Sequence, residues 1–379
     1  DILWMGAAAG SDACIASVIR ISLRYSNMET MEGGYGIRIL PLATFAMSAY
    51  AEDPCAQFLP KPGDEEYTAN EQILMARMQK AISVIQLKLE AQVIRRRPEF
   101  EMDDRLLLDK IDYARGVIQL DGQEYVLNDS NFPTIDPADP YALTEEEQGV
   151  VDRLRLSFLE NDKLQAHVAL LFGKGSMYLA FNGNLLYHGC IPMNADGSFQ
   201  VVTLDGQQVT GKAYLDRIDR LVRQGYFAHD PAQKQFGQDM MWYLWAGPKS
   251  PLFGKRKMAT FERYFIDDKA THSEERNAYY IFRDQEETVR RIMEEFGMNP
   301  DTSHIVNGHV PVKVRRGESP VKAGGKLLVI DGGFARAYQN ETGIAGYTLI
   351  FNSYGLLLAA HEPFQSVQSL IESETDVQS

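Results

Sequence analysis

Three apolar stretches of the sequence each end in a polar residue beside a glycine. They are LLYHG, HIVNGH and LLVIDGG, which place His188, His309 and Asp331 near their carboxyl ends. In α/β sheets, ligands gather beyond the carboxyl ends of the strands. Imidazole binds manganese, iron or zinc, and carboxylate suits manganese and magnesium. The pattern predicts a metal site, although a histidine at a strand end is more often structural and Asp331 can equally cap a turn.

Two basic stretches lie on either side of His309, one from Lys249 to Tyr264 and one from Lys313 to Lys326. Their basic residues are Lys249, Lys255, Arg256, Lys257, Arg263, Lys313, Arg315, Arg316, Lys322 and Lys326. The only acids among them are Glu262 and Glu318. Arginine and lysine bind phosphate through charge-assisted hydrogen bonds, so these stretches favour a phosphorylated substrate. The alternative is a pair of solvated loops with compensating acids nearby in space.

These residues must be positioned by a chain of 379 residues, long enough for one large domain with an insertion or for two domains. The formal net charge of −14 argues against a nucleic-acid interface, which needs a broad basic field. The cysteines Cys14, Cys55 and Cys190 are odd in number and lack CxxC spacing, which indicates a reducing cytoplasm and no structural zinc. No apolar run is long enough to span a membrane.

Strand and helix patterns alternate in the second half of the chain. The predicted strands cover Ser176–Phe181, Leu185–His188, His304–Asn307 and Lys326–Ile330, and the predicted helices cover Gly211–Gly225 and Asp284–Phe296. Tight-turn residues join the first two strands at Asn182-Gly183-Asn184. Strands that alternate with helices predict an α/β layered core.

The first 150 or so residues are mainly helical in pattern. Ser11 and Asp12 are candidate caps of a first helical run that Gly33-Gly34 would stop. Further helices are predicted over Leu40–Tyr50, Asn70–Arg97 and Thr144 to about Leu171, with a hairpin around Asp121-Gly122. The triplet Arg95-Arg96-Arg97 is predicted to be a solvated helix end.

Several of these segments resemble the class III fructose-1,6-bisphosphatases, a branch of the calcineurin-like metallophosphoesterases. The most specific are DILWMGAAA, NLLYHGCIPM, SPLFGKRKMATFERYF, NGHVPVK and KLLVIDGGFARA, followed by GIAGYTLIFNSYG and HEPF near the end. The resemblance implies an α/β fold with a metallophosphoesterase β-sandwich flanked by helices. It assigns remnant core helices to residues 1–50, a mainly helical insertion to 51–172 and the C-terminal half of the core to 173–379.

The resemblance also implies a dinuclear metal centre, with Mn²⁺ the expected ion. The late metal-binding blocks of the superfamily map onto His188 and His309, while the second histidine of a GHxH block would fall at Pro311. The early DxH, GDxxDRG and GNH blocks do not occur in the sequence. Asp1 resembles the residue that directly follows GNH. The expectation is therefore a C-terminal part whose metal site is incomplete without a missing N-terminal segment, which would be its partner.

The implied reaction is the hydrolysis of fructose 1,6-bisphosphate at one phosphate, a step of gluconeogenesis. Position and charge suggest that Arg256, and less directly Lys255, neutralise the transferring phosphoryl group. Lys313 and Lys322 could hold the second phosphate, and Asp331 joins them as a substrate-binding candidate. The isolated chain is expected to be inactive.

Two other functions compete with this one. Trp242–Pro248 and the dipeptide His188-Gly189 also resemble phosphoprotein phosphatases, although the long helical insertion and the GIAGYTLI segment argue against that group. Alternatively, the chain is a non-catalytic scaffold that must pair with its N-terminal part. The expected location is the cytoplasm, a homo-oligomer is possible, and no membrane or nucleic-acid partner is expected.

Overall fold

The computed structural model describes residues 1–61, 67–331 and 342–361. They form helices and several small sheets, which confirms the mixed α/β class. The chain divides into two compact units. The first unit comprises Asp1–Gly175, Ile218–Ser250 and Lys255–Glu275, and the second comprises Ser176–Arg217, Pro251–Gly254 and Arg276–Ser379. The predicted division at residues 50 and 172 remains a prediction.

The first unit is mainly helical. Its helices are α1 (Ile2–Ala8), α2 (Asp12–Arg24), α3 (Leu40–Ala49), α4 (Ala69–Arg96), α5 (Glu145–Leu159), α6 (Asp162–Lys174), residues 218–227 of α7 (Gly211–Phe227), α8 (Pro231–Ala246) and α9 (Thr260–Phe265). A small antiparallel sheet contains β1 (Ile111–Asp112), β2 (Val117–Leu120) and β3 (Gln123–Val126). The strands β2 and β3 confirm the hairpin predicted at Asp121-Gly122.

Local capping explains where these helices begin. The Ser11 side chain accepts a hydrogen bond from the Cys14 amide at the start of α2, as the sequence predicted. Reciprocal capping boxes begin α4, with Thr68 and Glu71, and α5, with Thr144 and Glu147. Each box satisfies amide groups that have no partner within the first helical turn.

Two helix boundaries differ from the prediction. The first run is interrupted before Gly33-Gly34, because α2 ends at Arg24 and Ser26 takes a left-handed conformation with φ +53°. A separate π-helix, Glu29–Gly34, ends at the predicted glycines. The single helix predicted from Thr144 to Leu171 is two helices. Asn161 separates them because its side chain accepts a hydrogen bond from the Leu164 amide and so begins α6.

The basic end of α4 is more than a solvated helix end. Arg96 and Arg97 both bind Asp239, whose side chain is 1% exposed, at 2.5 and 2.8 Å. Arg95 lies over the ring of Tyr141, 4.4 Å from its centroid. The predicted exposure holds for Arg95 and Arg96, but the pairing was missed because the buried carboxylate comes from α8, far away in the sequence.

The second unit is built on a five-stranded sheet. Its strands lie in the order β4 (Tyr178–Phe181), β5 (Asn184–Tyr187), β8 (His304–Asn307), β10 (Leu327–Val329) and β9 (Val321–Lys322). Two hairpins accompany it, β6 (Val202–Leu204) with β7 (Gln207–Val209) and β11 (Gly346–Asn352) with β12 (Gly355–His361). The helices wholly in this unit are α10 (Tyr279–Phe282) and α11 (Glu286–Glu295).

The sheet register brings the predicted site residues to one edge. β5 pairs with β8, and β8 with β10, in parallel. The carboxyl ends of these strands therefore meet at the same edge, immediately before His188 and Gly308 and two residues before Asp331. The residues 332–341 and 362–379, which include Gly332, Gly333 and most of HEPF, lie outside the described part. Within that part, the other sheets have only two or three strands, so the expected β-sandwich stays a prediction.

Among the helices of the described ranges, none combines the length and the apolar character that crossing a bilayer would require.

Candidate metal centre

His188 and His309 meet at the carboxyl edge of the five-stranded sheet. His188 follows β5 directly, and His309 follows β8 after Gly308. The distance from His188 Nε2 to His309 Nδ1 is 3.1 Å, and the ring centroids are 4.9 Å apart. This separation allows both nitrogens to bind one ion at the usual metal–nitrogen distance of about 2.1 Å. The predicted convergence of the two histidines is therefore present in the fold.

A backbone carbonyl orients the ring of His309. His309 Nε2 lies 2.9 Å from the carbonyl oxygen of Phe253, so Nε2 carries the proton and donates it to that oxygen. This hydrogen bond leaves the lone pair of Nδ1 directed at His188. Metal-binding histidines typically use their second ring nitrogen in this way. His309 itself has a left-handed backbone conformation, with φ +66°, of the kind that strained functional positions adopt.

The turn after β5 is held tightly against the neighbouring segments. The Gly308 amide donates to the His188 carbonyl at 2.9 Å, and the Cys190 amide donates to the Pro251 carbonyl at 2.9 Å. A Cβ on Gly189 would lie only 2.6 Å from the Pro251 carbonyl oxygen. Only glycine therefore fits at this position, and the turn fixes the direction in which His188 leaves the strand.

Asp331 belongs to the same edge. Its Oδ2 atom lies 3.7 Å from the place that a Cβ on Gly308 would occupy, and its carbonyl accepts a hydrogen bond from the Val312 amide at 2.8 Å. The third strand-end residue predicted from the sequence thus lies beside the histidine turn.

The surroundings of His188 favour its neutral form. The neighbouring protein atoms displace part of the hydration of the ring, and this desolvation, together with His309, lowers the pKa of His188 to about 4, although Asp331 acts in the opposite direction. Neutral imidazole is the form that binds metal ions. At neutral pH the His188 ring therefore has a lone pair available without prior deprotonation.

The donor atoms fit a transition-metal ion, but they are few. Across residues 1–61, 67–331 and 342–361, no group of three or more His, Cys, Asp or Glu side chains is arranged to hold a metal ion. The two imidazoles are suitable ligands for Mn²⁺, Fe²⁺ or Zn²⁺. A dinuclear centre requires more ligands than this pair provides.

Comparison with known proteins identifies the family. The sequence profile described as Firmicute fructose-1,6-bisphosphatase matches residues 1–379. The chain belongs to this family.

Curated relatives agree with this assignment. A protein from Clostridium novyi (strain NT) is 59% identical over 378 residues, and one from Alkaliphilus metalliredigens (strain QYMF) is 60% identical over 383 residues. Both are named fructose-1,6-bisphosphatase class 3. All of this chain is covered in each comparison, but only 57% and 58% of the respective relatives. The chain thus spans less than two thirds of the length of these Firmicute fructose-1,6-bisphosphatases. No solved structure shows significant similarity to it.

In this family member, the first basic stretch carries compensating acids. Lys255 pairs with Glu274 at 2.7 Å, and the more exposed Arg256 lies 3.4 Å from Asp104. The other cations of the stretch have acids within 4.0 Å as well: Lys249 with Glu101, Lys257 with Glu262 and Arg263 with Glu274. All of these residues belong to the first unit. The roles predicted for Lys255 and Arg256 remain predictions.

The second basic stretch lies in the second unit with the histidines. Lys313 is half-buried, and its amide donates to Glu318 at 3.0 Å. Lys322 Nζ lies 3.6 Å from Asp284 Oδ1. The stretch follows His309 closely in the sequence, and the backbone bond from Val312 to Asp331 ties its beginning to the sheet edge. The roles of Lys313 and Lys322 in substrate binding also remain predictions.

Sequence reasoning missed a buried polar network beneath the histidines. Tyr279 and Tyr187 share a hydrogen bond of 2.8 Å between their hydroxyls. Asn307 donates from Nδ2 to the Tyr279 hydroxyl at 2.6 Å and to the Gly189 carbonyl at 3.0 Å. Tyr187 precedes His188, and Asn307 precedes Gly308-His309. The only sequence signal was the position of these two residues beside the histidine turns, and nothing in the sequence pointed to Tyr279.

Proposed function

We propose that this chain carries part of the active site of a metal-dependent phosphatase that hydrolyses fructose 1,6-bisphosphate to fructose 6-phosphate and phosphate. The match of the fructose-1,6-bisphosphatase profile to residues 1–379 is the observation that carries this proposal. The meeting of His188 and His309 at a sheet edge supports it, because this edge is where α/β folds bind their ligands.

His188 and His309 would hold the metal ion, and Mn²⁺ is the ion that we expect. When bound, such ions lower the pKa of a coordinated water and neutralise charge on a phosphate group. The protein's own contribution is orientation. The Phe253 carbonyl fixes the tautomer and ring direction of His309, and the low pKa of His188 keeps its ring neutral at neutral pH.

The substrate would be bound by charged side chains of the two basic stretches and by Asp331. We propose Lys313, Lys322 and Asp331 for the part of the substrate that does not react, and Arg256 with Lys255 for the reacting phosphate. Lys255 would then exchange Glu274 for a phosphate oxygen, a change that is easier for an ion pair that is partly exposed. Arg256 is largely exposed, so its pairing with Asp104 opposes phosphate binding only weakly.

We further propose the metallophosphoesterase β-sandwich as the complete fold and the cytoplasm as the location. The second proposal is supported by Cys14, Cys55 and Cys190, which are all buried and are not joined in disulfides. Because the histidine pair supplies few ligands, we expect the chain of 379 residues to need additional ligand residues for full activity.

A phosphate-release assay with Mn²⁺ tests the function. We expect this chain, when extended to the full length of its relatives, to hydrolyse fructose 1,6-bisphosphate in preference to phosphopeptides, and the unextended chain to show negligible turnover. In the extended protein, His309→Ala should abolish activity and His304→Ala, at the other end of β8, should not. Failure of the extended protein to hydrolyse the sugar bisphosphate would refute the proposed function.

The two remaining alternatives give different results in the same assay. Preferential hydrolysis of phosphopeptides would indicate a phosphoprotein phosphatase. Full turnover by the unextended chain would refute only the expected need for further ligands. A scaffold role would be indicated if His309→Ala left the activity of the extended protein unchanged.

A further inference from the structure

Arg283 is a buried cation that lacks a hydrogen-bonding partner. It follows α10 in the second unit and is only 8% exposed. Its Nε and Nη1 atoms are both enclosed, and neither has a hydrogen-bond partner. Burying a guanidinium is unfavourable unless its charge is compensated, and arginine does not lose its proton to escape this cost.

The other buried cations of the described residues are all satisfied. Arg20, which is 7% exposed, donates from Nε to Gln86 and from Nη1 to Tyr264, the same two atoms that lack partners in Arg283. Lys88 binds Glu147 at 2.7 Å, and Lys80 binds Asp129 at 2.6 Å. Arg283 is thus the exception among the described buried cations, because the others all have hydrogen-bond partners for their charged groups.

The surroundings of Arg283 contain phenols in place of an acid. Within the described ranges, no carboxylate lies within 4.0 Å of its guanidinium, and the neighbouring Asp284 instead faces Lys322. The guanidinium carbon lies 5.1 Å from the centroid of the Tyr280 ring. Burial raises the pKa of Tyr187, Tyr279 and Tyr280, so these phenols stay neutral and cannot balance the charge.

We propose that Arg283 is the anchor of an anion site that takes a phosphate-type oxyanion. The Tyr280 ring holds one face of the planar guanidinium, which leaves its N–H groups free to bond in the plane of the group. Nη2 is not among the enclosed nitrogens of Arg283, and we place the entering ion at this end of the guanidinium. The guanidinium geometry matches phosphate and carboxylate oxygens, and a phosphate group compensates the charge without any acidic side chain.

This inference does not depend on the proposed catalytic activity. Neither His188 nor His309 contributes to the site, and the site needs no metal ion. A protein that failed to hydrolyse fructose 1,6-bisphosphate could still bind phosphate at Arg283, so the two proposals fail separately.

Thermal unfolding in the presence of EDTA tests the proposal. EDTA removes free metal ions, so any phosphate that still binds does not bind through a metal. We expect inorganic phosphate to raise the Tm saturably, relative to chloride at equal ionic strength. Arg283→Gln should lose this rise and should have an unchanged or higher Tm in phosphate-free buffer, because it no longer buries an unpaired charge. Arg290→Gln is the matched control, since Arg290 forms a surface pair with Asp301 and should leave the phosphate effect intact.

Three outcomes would overturn the proposal. They are the absence of a saturable rise in the parent protein, a full rise in Arg283→Gln, and a large loss of Tm in phosphate-free Arg283→Gln, which would indicate that an acidic side chain of the protein is the partner. If Arg283→Gln does not fold, crystals of the parent soaked in tungstate decide. An anomalous peak at the guanidinium supports the site, and its absence refutes it.

Discussion

At the scale of single residues, the candidate metal centre depends on hydrogen bonds that select one orientation of each ring and turn. The Phe253 carbonyl selects the tautomer of His309, and the Tyr279 hydroxyl joins Tyr187 to Asn307. The last two side chains precede the histidine turns, so Tyr279 fixes the ends of β5 and β8 relative to each other. Hydrogen bonds in a buried network of this kind are costly to remove, because the remaining partners cannot reach water.

Tyr279→Phe tests this network. The change removes one hydroxyl and leaves the Tyr187 hydroxyl and the Asn307 amide short of a partner, so we expect the free energy of unfolding to fall by about 1–3 kcal/mol. Urea unfolding followed by circular dichroism measures the effect. Tyr354→Phe is the control, because Tyr354 is 99% exposed and should behave as the parent does. An unchanged midpoint for Tyr279→Phe would contradict the role of the network.

Glu90 makes a second prediction at this scale, on pH. Burial raises the pKa of Glu90 above its ordinary value of 4.5, although hydrogen bonds from Gln86 and Trp242 and the charges of Arg20 and Arg105 oppose the shift. The folded state therefore binds this proton more tightly than the unfolded state does. The contribution of Glu90 to stability is complete below pH 4.5 and is lost as the pH rises through the folded-state pKa.

Glu90→Gln should consequently stabilise the protein at pH 8, because the neutral amide can still accept both hydrogen bonds and has no charge to bury. The difference from the parent should shrink toward zero as the pH falls to 4.5. Urea midpoints measured across this range test the expectation. A stabilisation that is independent of pH, or a loss of stability at pH 8, would show that ionisation of Glu90 is not the cause.

At the scale of secondary-structure elements, the helices of the first unit depend on capping residues at their starts and on close packing of one helix backbone against another. Capping boxes begin α4 and α5, and each is formed locally by a threonine and the glutamate three residues after it. The close packing of α7 against α8 was not predicted from the sequence. A Cβ on Gly237 of α8 would lie 2.2 Å from the Gly225 amide nitrogen and 2.3 Å from the Leu221 carbonyl oxygen of α7. The backbones of α7 and α8 therefore touch at Gly237.

Gly237→Ala should force these two helices apart. Both contacts are with backbone atoms, which cannot rotate away, so we expect a loss of at least about 1–3 kcal/mol. Gly173→Ala in α6 is the matched control, because a Cβ there has nothing within 4 Å. That change should be neutral or should stabilise the protein by about 0.4–1 kcal/mol. Equal unfolding midpoints for the two variants would rule out the close contact as a determinant of stability.

At the scale of the whole molecule, the proposed binding of a metal ion by the histidine pair would be coupled to folding. Unfolding separates His188 from His309, which are 121 residues apart in the chain, so an ion that binds both stabilises the folded state. The gain is about 2.7 kcal/mol when the free ion is present at a hundred times its Kd. Because the pair provides few ligands, the value of this Kd determines how much a given ion concentration stabilises the fold.

Mn²⁺ should raise the Tm of this chain in proportion to the logarithm of its concentration above the Kd. His188→Ala should remove the rise, whereas His304→Ala should keep it, because His304 lies at the opposite end of β8. Differential scanning fluorimetry with a Mn²⁺ titration measures both. An identical rise in His188→Ala would place the ion elsewhere and contradict the site.

The sequence by itself determined the family, most element boundaries and the three strand ends that carry His188, His309 and Asp331. The family follows from the resemblance of several long motifs. The elements and strand ends are encoded locally, in apolar periodicity, capping residues and glycines, so a short window of sequence suffices to recognise them. Only the tertiary structure decided which side chains and carbonyl groups from distant segments become neighbours. Asp239 binds Arg96 and Arg97, the Phe253 carbonyl orients His309, and Arg283 is buried with no carboxylate beside it. Each of these depends on segments that are distant in the chain and become neighbours only when the units fold, and no local pattern records that proximity.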